Sequence, residues 1–162
     1  MITASTARWI IDSGVQTEHL HRAWATGRAA QVPIGHGWDV VRVTRTLGRA
    51  ALARAQRDGT TIGPVLETPA RDALEFPVPP GTAAAWPLLP DTRAASSGEF
   101  RCPAPWITAA DRRRSRCGRV WLIPPTITVL TDANALCEAV AAALATGHPG
   151  AVYGRTPTEE AR

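Results

Sequence analysis

The stretch Trp38-Asp39-Val40-Val41-Arg42-Val43-Thr44, followed at once by Arg45-Thr46-Leu47-Gly48-Arg49-Ala50-Ala51-Leu52, decides how this chain is read. Residues 38–43 form a β-branched run that reads as a buried strand. Beyond it the apolar spacing becomes helical. Leu47, Ala51, Leu52 and Ala55 fall on one face, while Arg49, Arg54 and Arg57 decorate the remainder. Thr44 or Thr46 is placed to cap this helix, which runs to about Arg57 and stops at Asp58-Gly59. A further strand is expected over Ile62 to Glu67. Strand, helix and strand in that order favour an α/β (α+β) fold, a mixed or parallel β-sheet with flanking helices.

Downstream, Thr68-Pro69-Ala70-Arg71-Asp72 reads as a turn into a strand from Ala73 to Val78. Pro77 makes that strand an edge or ends its pairing early, because proline has no N–H to give to a ladder. Pro79-Pro80-Gly81 stops it, and Thr82 is expected to cap a short helical turn through Trp86. Residues 87–118 are poor in regular pattern, with one short strand expected at Glu99 to Cys102. Arg119 to Ile123 is a clearer strand, closed by Pro124-Pro125. The last helix has Thr131 or Asp132 as its N-cap, a stripe of Leu136, Val140 and Leu144, and Gly147 at its end.

Upstream, residues 4–27 read as two short helices split by Ser13-Gly14, the second placing Leu20 and Trp24 four apart. Gln31 to Ile34 is extended. Gly35-His36-Gly37 then breaks the chain; two glycines there could let backbone approach a phosphate, but without a P-loop lysine a plain turn is the expectation. Residues 1–147 are expected to form a single domain and 148–162 a flexible C-terminal tail.

All 18 basic residues are arginine, and the formal net charge is +4, so the chain tolerates a polyanionic partner with a side chain whose planar fork suits phosphate. No apolar run approaches the roughly 20 residues of a membrane span. No basic segment followed by an apolar stretch opens the chain, which places it by expectation in the cytoplasm. Cys102, Cys117 and Cys137 form no CxxC pair and are expected as free thiols, although Cys102 and Cys117 could meet across a loop. His19 and His21, two apart on a helix, point to different sides, and no metal site is expected from the histidines.

Three stretches, spanning roughly residues 30–145, together resemble the N-terminal domain of bifunctional DNA primase/polymerases, within the archaeo-eukaryotic primase superfamily. The first is Val32-Pro33-Ile34-Gly35 through Gly37-Trp38-Asp39-Val40-Val41-Arg42-Val43-Thr44 and the helix Gly48-Arg49-Ala50-Ala51-Leu52. The second is Thr68-Pro69, then Ala73-Leu74-Glu75-Phe76, then Val78-Pro79-Pro80-Gly81. The third is Gly118-Arg119-Val120-Trp121-Leu122-Ile123-Pro124-Pro125-Thr126. The resemblance implies a primase/polymerase-like fold and metal-assisted nucleotidyl transfer.

That chemistry needs two carboxylates alternating on one strand, where residues i and i+2 share a face and hold divalent ions. The matching strand instead ends Arg42-Val43-Thr44. Arginine repels a metal and threonine offers only a neutral oxygen. The resemblance also implies a histidine on the second strand, where Ala73 and Leu74 stand, and a third acid near Asp111, which is slightly out of register. The expectation is a catalytically degenerate domain that acts as a binding or regulatory module, with single-stranded DNA or a replication-related protein as partner and no cofactor. One alternative is an active nucleotidyltransferase that holds magnesium or manganese through Asp39, Glu67, Glu75 or Asp111. Another is an unrelated α/β interaction protein.

The densest basic patch is Arg112, Arg113, Arg114, Arg116 and Arg119, flanked by Trp106 and Trp121. Arginine with aromatic neighbours is a workable surface for single-stranded nucleic acid. The competing reading is a solvated loop that keeps an alanine-rich protein in solution. Trp24, Trp38 and Trp121 are expected in the core, and Trp86 is expected to pack the short helix against the sheet.

Overall fold

The computed structural model describes residues 8–125 and 129–147, so the expected tail lies outside the described residues. Its organising strand is β2 (Asp39–Thr44), which passes straight into helix α3 (Arg45–Arg57). Strands β3 (Val65–Thr68) and β4 (Ala73–Val78) follow, joined by the 3-10 turn Pro69–Arg71. After the single-turn helix α4 (Thr82–Ala85) come β5 (Thr92–Ala95), β6 (Glu99–Cys102) and β7 (Val120–Ile123). Helix α5 (Ala133–Ala145) ends the described chain. Ahead of β2 lie α1 (Arg8–Ile11), α2 (Thr17–Ala25) and β1 (Ala30–Pro33).

Five strands form one sheet in the order β5-β2-β4-β3-β7, and β1 pairs with β6 in a separate two-stranded sheet. The α/β class with flanking helices is what the sequence led us to expect. The pairing is more particular. Strands β2 and β3, linked through α3, run in the same direction but are not neighbours, because β4 inserts between them antiparallel to both. This is a split βαβ unit. Among the described residues every ladder is antiparallel, so the mixed or parallel sheet expected from the strand–helix–strand order is not formed, because β4 separates the two parallel strands; one isolated parallel bridge joins Thr108 to Trp121.

Pro77 therefore sits in a central strand rather than on an edge. The β3 ladder stops at Glu75, two residues short of it, so the proline ends pairing on one side only. The edges of the sheet are β5 and β7, and β5 is the one the sequence did not reveal.

Helices α3 and α5 cover one face of the sheet. There Val41, Val43, Leu74 and Phe76 meet Leu47, Ala51, Leu136 and Val140, all buried. Gly48 permits this close approach: a Cβ on it would stand 3.0 Å from the Leu74 side chain. Glycine inside a helix costs about 0.5–1 kcal/mol against alanine, which the tighter helix–sheet packing offsets. The two candidate caps of α5 divide the work. Asp132 Oδ1 accepts from Ala135 N–H at 2.9 Å, and Thr131 Oγ1 accepts from Gly63 N–H at 2.9 Å. Thr44 takes the N-cap position of α3 but makes no side-chain capping bond.

The other face carries a second cluster rich in aromatic rings. Trp9, Trp38, Phe100 and Trp121 meet edge to face or tilted, with centroids 4.9–6.3 Å apart. Trp24 anchors α2 to the small sheet by donating from Nε1 to the Cys102 carbonyl at 2.9 Å. Gly35 forms a turn against Ser96, where a Cβ would stand 2.0 Å from that carbonyl oxygen. Among the described residues no helix is long and apolar enough to cross a membrane.

Candidate nucleic-acid interface

Register assigns each sequence-derived candidate to a face. Arg42 pairs with Glu75 and Thr44 with Ala73, so Arg42, Thr44, Glu75 and Thr68 share the face opposite α3 and α5. Glu75 is buried between Arg42 Nε, 2.8 Å from Oε2, and Thr68 Oγ1, which donates to Oε1 at 2.7 Å. Arg42 and Thr44 line a shallow hollow of about 240 Å³ together with Arg71, Asp72, Asp91 and Arg93.

Asp39 and Glu67 lie on the helix-covered face instead. Asp39 Oδ2 accepts from Ala83 N–H at 2.9 Å and so holds the start of α4. Glu67 is completely buried and accepts from Arg49 and Arg112, with Arg45 Nη1 at 3.9 Å. Burial pushes its carboxyl up, but the hydrogen bonds from Arg112 and Arg49 and their charges prevail and hold it below the usual glutamate value.

The four carboxylates do not converge. Glu67 and Glu75 point to opposite faces of neighbouring strands. Asp39 and Glu67 share a face but stand four residues apart along the strands and two strands apart, on the order of 16 Å at usual spacings. Asp111 is exposed on the 3-10 segment Ala109–Arg114. Among the described residues, no group of three or more His, Cys, Asp or Glu side chains is arranged to hold a metal.

The arginine run divides. Arg112 is committed to Glu67, and Arg113 and Arg114 are exposed. Arg116 and Arg119 turn toward a groove of about 790 Å³ between α2, the small sheet and the segment before β7. Three arginines distant in sequence complete its lining: Arg22 on α2, Arg28 in the α2–β1 turn and Arg101 on β6. His19 joins them, and among the described residues no carboxylate does.

Five of the arginines elsewhere, Arg8, Arg42, Arg45, Arg49 and Arg112, each sit beside an acid, and six others, Arg54, Arg57, Arg71, Arg93, Arg113 and Arg114, are in no ion pair among the described residues. Among the described residues, none of the five groove arginines is in an ion pair either.

Arg119 is the half-buried floor of this groove, and its Nε has no hydrogen-bond partner among the described residues. Burial lowers its pKa. The Cys117 thiol and the Glu75 carboxylate oppose that effect, and the charges of Arg101 and Arg71 add to it. A trough lined by five guanidinium groups, with no carboxylate in its lining among the described residues, favours an anionic oxygen.

Sequence spacing found Arg116 and Arg119. It missed Arg22, Arg28 and Arg101, since each stands alone in its own segment and only the fold assembles them. Trp121 is not on this surface: it is fully buried, its Nε1 donating to the Pro103 carbonyl at 3.1 Å. Trp106 is 43% exposed. All three cysteines are free, Cys102 buried and Cys117 half-buried at the groove.

No protein-family model matches the chain, and neither a curated protein nor a solved structure matches it.

Proposed function

We propose that this chain is a nucleic-acid-binding module with a primase/polymerase-like scaffold that has lost its metal chemistry. Its arginine groove takes the phosphates of a single strand. The observation that carries this reading is the composition of the groove: among the described residues its lining holds five arginines in no ion pair and a histidine, with no carboxylate. Arginine forks bind phosphate oxygens in pairs, and an open trough follows a backbone without needing to read its bases. The scaffold part rests on the three resembling stretches. It agrees with a split βαβ core whose face opposite α3 and α5 carries Arg42 and Thr44 where a metal-dependent enzyme would need acids.

The test is a titration with fluorescent single-stranded DNA at two salt concentrations, with and without magnesium or manganese. Binding should weaken with salt, with a slope near −0.7 per phosphate contacted, and should ignore the metal. Arg28→Gln and Arg119→Gln should each make the slope shallower by about that amount. Metal-dependent binding would instead restore the nucleotidyltransferase reading, and no binding in any condition would end the nucleic-acid one.

A further inference from the structure

The groove does not end at Arg116. Thr26, Gly27, Arg28, Arg116 and Cys117 line both it and a second hollow of about 270 Å³. The second hollow differs in chemistry. Trp24, Pro103, Ala104, Trp106 and Ile107 form its walls, and Arg114 stands at its margin. Trp106 meets Trp24 edge-on, with centroids 6.1 Å apart at 77°, so the buried ring props up the exposed one. Trp24 is itself fixed by its bond to the Cys102 carbonyl. Arg116 lies over Gly27, where a Cβ would stand 2.8 Å from its Cδ, and its aliphatic stem forms the sill between the two hollows.

We propose that this hollow is a base-binding subsite, in which Trp106 stacks one unpaired nucleobase of a strand whose phosphates occupy the arginine groove. This rests on the groove reading above and adds a requirement for the base itself. Three features point to a base rather than another apolar group. The volume falls below the roughly 300–1,000 Å³ of sites for drug-sized ligands, so the occupant is about the size of one heterocycle. A half-exposed tryptophan with arginines beside it is a stacking platform for a π-face. The apolar hollow also opens directly into the cationic trough, as base and phosphate are joined in one nucleotide. A duplex presents no free base face, so the subsite selects single strands or unpaired ends.

The experiment compares three ligands: oligothymidine of about 12 nucleotides, within the usual span of one single-strand site, an abasic strand of equal length, and inorganic polyphosphate. The protein carries Cys137→Ser, so that Cys117 is the accessible thiol, and protection of Cys117 from a bulky maleimide reports occupancy at the sill. Oligothymidine should bind roughly tenfold tighter than the abasic strand, the effect of one base–aromatic stack. Trp106→Ala should bring oligothymidine down to the abasic level and leave polyphosphate unchanged, while Trp106→Phe should retain most of the difference. Should Trp106→Ala fail to fold, the oligothymidine/abasic ratio of the Cys137→Ser protein and of Trp106→Phe decides. Equal binding of both strands, with Trp106 variants unaltered, overturns the base subsite and leaves the groove reading standing. Failure of all three ligands to bind overturns both.

Discussion

Arg112 Nη1 donates to Glu67 Oε1 at 2.5 Å, a bond that spans 45 residues of chain and fastens the arginine-rich segment to the buried end of β3. Arg49 and Arg45, from α3, reach the same carboxylate. One acid thereby joins helix, sheet and loop.

Glu67→Gln should lower stability by about 1–3 kcal/mol, read as a reduced urea midpoint, because a neutral amide replaces a buried acceptor of charged donors. Arg112→Gln should cost less, about 1 kcal/mol or under, since that side chain is half exposed and can hydrate. An unchanged midpoint in Glu67→Gln would show that the carboxylate does not hold the loop.

The same carboxylate sets an acid limb. Its folded-state pKa lies below the unfolded value, so its contribution is complete above the ordinary glutamate range and fades as pH falls through the folded-state value. Unfolding monitored across acid pH should show the wild type losing stability more steeply than Glu67→Gln, the two converging at the acid end.

Gly63→Ala should destabilise by about 1–3 kcal/mol, although alanine stiffens the unfolded chain. A Cβ there would stand 2.3 Å from the Val129 carbonyl oxygen and 2.9 Å from Thr131 N, both backbone atoms. Thr131→Val, which removes only the acceptor for Gly63 N–H, should cost about 1 kcal/mol. Thermal melts of both variants make the comparison.

The thiols should react in a fixed order. Burial pushes the Cys102 thiol far up, and burial with the neighbouring Glu138 charge raises Cys137. Cys137 should therefore label slowly in the folded protein and Cys102 only on unfolding, as mass spectrometry of timed alkylation would reveal. Early labelling of Cys102 would contradict the packing of the small sheet.

Much of this architecture was legible because local and tertiary preferences agree. Val40, Val41 and Val43 specify a strand, and Leu47, Ala51 and Leu52 a helix, whatever surrounds them. β5 was illegible because Thr92-Arg93-Ala94-Ala95 has no strand pattern of its own and is extended through its ladder with β2. Pro77 misled for a related reason: its effect depends on where the β3 ladder stops, which no local signal states. Within the site, five consecutive-looking arginines suggested one surface, but Arg112 was claimed by a buried acid from elsewhere. The groove then drew Arg22, Arg28 and Arg101 from three separate segments. Trp106 and Trp121 looked alike as flanking aromatics. The apolar strand around Trp121 carried it into the core, while Trp106, in a proline-bounded loop, stayed out.

Leaving five guanidinium groups with no ion-pair partner among the described residues has a cost that the free protein bears alone. Like charges lining one trough repel one another, and mobile ions relieve that repulsion. Added salt should accordingly raise the melting temperature of the free protein while it weakens any complex with a polyanion. The ligand, by this argument, acts as a structural counter-ion: the groove is a stressed element when empty and a relaxed one when filled.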